Sequence, residues 1–166
     1  NKILEKCPRV NTTIMSTYNA LSVPSYKKLL DGVYDLKNRY GSPDRYWNSA
    51  VFLDASYLRY PTHQTIQVLP QNWSNEILQQ AQYVDYLGVP MFDHHHIGYS
   101  DIEIQKLKRL YDWMVSAQRT DENIIRRQRY NFGKFFQEHD KRRGTDFRKT
   151  FPEYEEFYNE CRRIKL

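Results

Sequence analysis

The spacing of hydrophobic and polar residues in the first third of the chain predicts a strand, a helix and a second strand. The β-branched run Thr12–Tyr18 favours a strand. Apolar residues at helical spacing over Tyr26–Tyr40, followed by Gly41, predict a helix that ends there. The apolar run Ala50–Leu53 is typical of a strand buried on both faces. We therefore predict that the two strands are adjacent and parallel and that the helix joins them.

The rest of the chain is predicted to hold one more strand and then helices. Thr65–Leu69 alternates between apolar and polar residues, which indicates a half-exposed strand at a sheet edge. We predict four helices after it: Ser74–Leu87, one that begins with a capping box at Ser100–Glu103, Asp121–His139, and one that begins with a second capping box at Thr150–Glu153. Inward residues of the third of these helices are predicted to be Ile124, Ile125, Phe132, Phe135 and Phe136.

The predicted fold class is α/β, with a partial parallel sheet of about three strands and a mainly helical C-terminal half. We predict that residues 1–70 form the strand–helix–strand portion and that residues 71–166 form a helical portion packed on it, within one domain. Sheets usually contain roughly five or six strands. The sheet therefore looks incomplete, as in the back half of a larger α/β enzyme. We expect a homo-oligomer, or an exposed apolar patch beside the first strand.

Composition narrows the setting of the protein without giving its reaction. The net charge of +5 suits nucleic acid, an anionic cofactor or solubility alone. No apolar leader and no membrane-length apolar run occur in the sequence, so a cytoplasmic protein without membrane contact is expected. Cys7 and Cys161 belong to no motif, which favours reduced thiols, and Cys161 is predicted to be a core residue of the last helix.

Polar residues follow the first predicted strand. Ligands of parallel α/β folds bind at the carboxyl ends of strands, so Asn19 and Ser22 are candidate cofactor-binding residues. The amide of Asn19 suits a carboxylate or a ribose hydroxyl. The alternative is that both residues serve only as turn and cap residues.

A second polar segment follows the apolar run Ala50–Leu53. Asp54, Tyr57 and Arg59 place a carboxylate, a phenol and a guanidinium within six positions, and we predict that they bind substrate. Alternatively, Asp54 and Arg59 form a structural ion pair.

The histidine run offers candidate metal ligands. His94 and His96 would share one face of an extended segment, and Asp93 could add a carboxylate. The run has no helical histidine spacing and no accompanying cysteines. A metal-dependent enzyme is therefore a third hypothesis.

A basic stretch lies between Arg126 and Lys149, with nine Lys or Arg and three Asp or Glu. Such a helix suits phosphates, and a polyanion-binding or RNA-binding module is the main alternative function. The competing interpretation is a basic helix surface balanced by acidic neighbours. Candidate nucleic-acid contacts are Arg126, Arg127, Arg129, Arg142 and Arg143.

Several catalytic motifs do not occur in the sequence, and we therefore assign no catalytic residue. It contains no Gly-rich phosphate loop, no Gly-x-Ser-x-Gly and no His-Glu-x-x-His.

Several segments together resemble one enzyme family. They are Asn11–Ser22, Leu36–Tyr40, Tyr57–Pro61, Gln67–Pro70, Glu138–Phe147 and Thr150–Glu153. These segments resemble the C-terminal half of radical SAM proteins, especially the twitch-domain-containing group of phages and marine bacteria.

The resemblance implies that this chain supplies later barrel strands and a C-terminal cap. It implies part of a wall for S-adenosylmethionine or substrate, with Asn19 as the best candidate contact, and an upstream radical SAM half as partner. The Cys-x-x-x-Cys-x-x-Cys loop that binds the [4Fe–4S] cluster does not occur in this sequence. We therefore expect no cluster in this chain alone, and an enzyme that is catalytically incomplete without further residues.

Overall fold

A computed structural model describes residues 2–7, 9–42, 50–88 and 97–166. Strands β1 (Thr12–Tyr18) and β2 (Val51–Tyr57) form a parallel sheet. Their register runs from the pair Thr12 and Val51 to the pair Tyr18 and Tyr57. The predicted adjacent and parallel strands are confirmed, although β2 continues through Tyr57 and is longer than Ala50–Leu53.

Helices make up most of the described chain, in a mixed α/β fold. They are α1 (Lys2–Lys6), α2 (Tyr26–Tyr40), α3 (Ser74–Tyr86), α4 (Asp101–Ser116), α5 (Glu122–Arg143), α6 (Phe147–Thr150) and α7 (Glu155–Arg163). Asp121 caps α5 by accepting a hydrogen bond from the Asn123 amide, and α5 ends at Gly144 in the left-handed conformation.

The predicted third strand is wrong. Thr62–Gln64 and Ile66–Val68 are 3₁₀ turns. The Leu69 amide donates to the Ile66 carbonyl over 3.2 Å. Local turns therefore satisfy backbone groups that a sheet would have paired. The side chains of Thr65, Ile66, Val68 and Leu69 are all buried, so burial does not alternate here as it would along a half-exposed strand.

The two faces of the sheet differ in burial. Val51, Leu53 and Ala55 are buried on the face that contributes to the core. On the opposite face the β1 side chains are exposed, and Met15 is 82% exposed. Over β2 the same face is covered, because Asp54 is half-buried and pairs with Lys106 of α4. The face is therefore open over β1 only, whereas a parallel sheet is normally covered on both faces.

A buried ion pair closes the outer edge of β2. The Lys37 ammonium of α2 donates to the Val51 carbonyl over 2.8 Å and to Glu103 of α4 over 3.0 Å. The Leu53 amide donates to the other Glu103 oxygen over 2.7 Å. Lys37 and Glu103 are 1% and 0% exposed. These two side chains take the place of the next strand on that side of the sheet.

Among the described residues, none closes the outer edge of β1 in this way. In a parallel ladder, alternate residues direct both backbone groups to the same neighbour. The Thr12 amide bonds the Ala50 carbonyl, and the Tyr18 carbonyl accepts from the Leu58 amide, so the even-numbered residues of β1 face β2. Thr13, Met15 and Thr17 therefore direct their backbone groups to the other side. No strand pairs with them in the described part of the chain.

An aromatic cluster holds the C-terminal helices together. The rings of Phe132, Phe136, Phe147, Phe157 and Tyr158 are buried in mutual contact. The capping box at Ser100–Glu103 is confirmed. The box at Thr150–Glu153 is wrong, because Pro152–Tyr154 is a 3₁₀ turn and α7 begins only at Glu155.

Two residues predicted to face inward from α5 do not. Ile124 is 50% exposed and Phe135 is 42% exposed. Phe132 and Phe136 are buried as predicted, and they define the inner face of the helix.

Candidate functional site at the carboxyl ends of the strands

The carboxyl ends of β1 and β2 lie side by side. Tyr18 and Tyr57 form the last pair of the ladder, so Asn19 and Arg59 follow at the same edge of the sheet. The loop after β1 is anchored, because the Ala20 amide donates to the Gln64 carbonyl over 2.9 Å. Residues predicted separately from the two strands therefore come to one place.

Asn19 organises a tight turn after β1. Its side-chain oxygen accepts from the Leu21 backbone amide over 2.9 Å. Its backbone amide donates to the Ser22 hydroxyl oxygen over 3.2 Å. Ser22 therefore braces this turn, and it makes no side-chain cap for the 3₁₀ turn Val23–Ser25 that leads into α2. The turn interpretation holds for both residues.

The Asn19 side-chain amide nitrogen keeps binding capacity beyond this turn. Its nearest acceptor is the Thr17 carbonyl at 3.5 Å, at an exposed position. That distance is at the outer limit of a hydrogen bond. A donor group is therefore presented to solvent at the carboxyl end of β1.

The three predicted substrate residues do not all meet. Tyr57 and Arg59 do, because the guanidinium donates to the Tyr57 hydroxyl over 3.0 Å and lies 5.2 Å from the ring centre. Asp54 lies inside β2 and forms an ion pair with Lys106 of α4. The alternative of an Asp54–Arg59 ion pair is therefore wrong.

Trp113 of α4 also lies at the carboxyl end of β2, and the sequence did not predict it there. Its ring stacks on Tyr57 with 4.8 Å between ring centres. Its indole nitrogen is buried and has no hydrogen-bond partner among the described residues. In the sequence, Trp113 is one aromatic residue of the helix predicted to begin at Ser100–Glu103, and no pattern indicates that it contacts β2.

Most residues of the basic stretch are in α5, and two of them have structural roles. Arg129 donates to the Val68 and Leu69 carbonyls over 2.7 and 3.3 Å, and Arg126 donates to the Lys165 carbonyl over 2.9 Å. Arg127, Arg142 and Arg143 are exposed. The predicted stripe is therefore not one continuous binding surface.

Metal ligation was also predicted. His94 and His96 lie outside the described residues. Within the described ranges, no three His, Cys, Asp or Glu side chains form a group that could hold a metal ion.

The two cysteines do not fit an iron–sulfur cluster. Cys161 is buried as predicted, and burial raises the pKa of its thiol to about 12. Cys7 is exposed. A cubane cluster needs several thiolates close together, and two thiols of such different burial do not supply them.

Comparisons with known proteins gave no match to a family model, a curated protein or a solved structure. Among the helices of the described residues, none has the length and apolar character needed to cross a membrane.

Proposed function

We propose that this chain is the C-terminal part of a radical SAM-like enzyme, and that it contributes one wall of a cofactor or substrate site. The observation that supports the proposal is the outer edge of β1, which is open in the described ranges and lies next to a polar loop at the carboxyl end of the same strand. A further parallel strand on that edge would bring its own carboxyl end beside Asn19. Alone, the chain is proposed to be catalytically incomplete.

Asn19 is the proposed contact to S-adenosylmethionine. Its side-chain amide nitrogen is a donor that the turn leaves largely unused, and the carboxylate and ribose oxygens of the cofactor are acceptors. Tyr57 and Arg59 lie at the carboxyl end of β2, and they provide a phenol and a cation for an anionic group. Cluster ligands would come from residues other than Cys7 and Cys161.

A titration with S-adenosylmethionine, monitored through the backbone amide signals in NMR spectra, tests this proposal. The expected result is a set of shifts confined to residues 19–22 and 57–59. Asn19→Asp keeps the oxygen that accepts from the Leu21 amide but replaces the donor by a negative charge. This variant should weaken binding about tenfold or more and leave the melting temperature unchanged.

Asn38→Asp is the matched control, because Asn38 is exposed near the end of α2, where Lys37 contacts Val51 at the opposite end of β2. It should bind like the unsubstituted chain. The proposed site is wrong if Asn19→Asp binds as well as Asn38→Asp, or if the shifts lie elsewhere.

The partner on the β1 edge is proposed to be an upstream radical SAM half or a second copy of this chain. Thr13, Met15 and Thr17 carry no charge, so the edge lacks the usual protection against pairing. Sedimentation measures self-association directly. Met15→Lys should abolish any dimer, whereas Ile102→Lys, at a residue of α4 that is 54% exposed, should not. A dimer that survives Met15→Lys would rule out pairing through β1.

A further inference from the structure

A cleft lies between the C-terminal part of α5 and the 3₁₀ turn Thr62–Gln64, with a volume of about 630 Å³. Its wall on α5 is a single face of the helix, since the lining residues recur at spacings of three and four. The residues that matter here are His63, Lys134, Phe135, Glu138, Arg142 and Arg143.

The cleft is cationic. Lys134, Arg142 and Arg143 contribute three positive charges, and Glu138 is the acid among the lining residues. Arg142 approaches Glu138 only at 3.9 Å, with both side chains more than half exposed. Exposed pairs of this kind are weak, so the guanidinium is available to a stronger anion.

The cleft cations differ from two of the other arginines of α5. Arg126 and Arg129 use their donors on backbone carbonyls. In the described part of the chain, Arg143 has no such acceptor, and Lys134 only faces an aromatic ring at 5.8 Å. Arg127 is exposed like Arg143, but it does not line the cleft. The cleft cations therefore keep donors that an anion could use.

The cleft also presents an aromatic surface. Phe135 is 42% exposed although it is apolar, and its ring centre lies 5.1 Å from that of His63. The His63 Nε2 atom is buried, and no described residue gives it a hydrogen bond. Burial lowers the pKa of His63, so its ring is neutral at pH 7. A flat aromatic ring, such as a base, would cover the exposed phenyl face.

We propose that this cleft binds a nucleotide, with the phosphate on Lys134, Arg142 and Arg143 and the base against Phe135. Guanidinium groups suit phosphate oxygens, and bases stack on aromatic side chains. A free mononucleotide and a single-stranded RNA both offer this chemistry. The site is separate from the strand ends, and it does not depend on the radical SAM-like assignment.

Isothermal titration with adenosine 5′-monophosphate, inorganic phosphate and a six-nucleotide RNA tests the proposal. Arg143→Gln should weaken binding of all three about tenfold. Phe135→Ala should weaken binding of the mononucleotide and of the RNA about tenfold, because it removes the ring on which the base stacks. Binding of inorganic phosphate, which has no base, should change less than about twofold. Thermal melting of each variant checks the fold.

Arg127→Gln is the matched control. Arg127 is also an exposed arginine of α5, but it lies about 24 Å from Arg143 along the helix axis. Its substitution should change mononucleotide binding less than twofold. Equal losses from Arg127→Gln and Arg143→Gln would overturn the proposal, because they would indicate general charge attraction. Absence of mononucleotide and RNA binding at millimolar concentration would overturn it as well.

The RNA measurement identifies the source of the phosphate. Each phosphate contact on a single strand contributes about 0.7 to the slope of log affinity against log salt concentration. A slope that corresponds to about one phosphate contact, for both the mononucleotide and the RNA, would identify a mononucleotide site. A larger slope for RNA, with the same loss in Arg143→Gln, would identify the cleft as part of an RNA path. RNA binding that is unaffected by Arg143→Gln would contradict the proposal.

Discussion

At the scale of residues, Glu103 shows how one side chain serves two elements. It completes the capping box of α4 by accepting from the Ser100 amide over 2.8 Å. Its two oxygens also receive Lys37 and the Leu53 amide, so it closes the edge of β2. The capping role was predicted from the sequence, because the residues involved are three positions apart. The role at the strand edge was not, because it joins residues 50 and 66 positions apart.

Removal of Lys37 should therefore be costly. Lys37→Met leaves the Glu103 carboxylate buried without its charge partner, which should lower the free energy of unfolding by about 3–5 kcal/mol. Lys27→Met is the control on the same helix, since Lys27 pairs with Asp31 at an exposed position. It should cost about 0–1 kcal/mol. Urea unfolding curves measure both, and similar losses would show that the buried pair does not brace the sheet.

At the scale of elements, sequence patterns correctly predicted the helix and the strand whose residues are consecutive in the chain. The helix Tyr26–Tyr40 matches its predicted span, and β1 matches the run Thr12–Tyr18. Thr65–Leu69 was predicted wrongly because an alternation of apolar and polar residues does not by itself separate a strand from a 3₁₀ turn. Phe135 was predicted to be in the core because hydrophobicity does not show which face a neighbouring element covers.

The packing of α5 on α7 depends on one glycine. A Cβ at Gly133 would lie 3.0 Å from the Cys161 carbonyl carbon and 3.1 Å from the Arg162 nitrogen. These are backbone atoms of α7, which cannot move aside as a flexible side chain would. Gly133→Ala should therefore destabilise the protein by about 1–3 kcal/mol through overpacking.

Gly32 supplies the contrast within α2. A Cβ there would meet nothing within 4 Å, so Gly32→Ala should stabilise the protein by about 0.5–1 kcal/mol through helix propensity. Thermal unfolding of the two variants should shift the melting temperature in opposite directions. A neutral Gly133→Ala variant would show that α5 and α7 pack less closely than described.

At the scale of the whole molecule, the candidate site depends on a sheet that is closed on one side only. The Lys37–Glu103 pair finishes the β2 edge, whereas in the described residues the β1 edge and the sheet face over β1 are open. The sequence indicated an incomplete sheet by its small number of strands. It could not indicate which edge is open, because that depends on contacts between elements distant in sequence.

Amide hydrogen exchange along β1, measured by NMR on the purified chain, tests this claim most directly. The amides of Ile14, Ser16 and Tyr18 point to β2 and should exchange about 100-fold more slowly than those of Thr13, Met15 and Thr17. This alternation is the result that an open outer edge predicts. Equal protection of all six amides at a concentration where sedimentation shows a monomer would contradict the account, because the outer edge would then be covered within the chain itself.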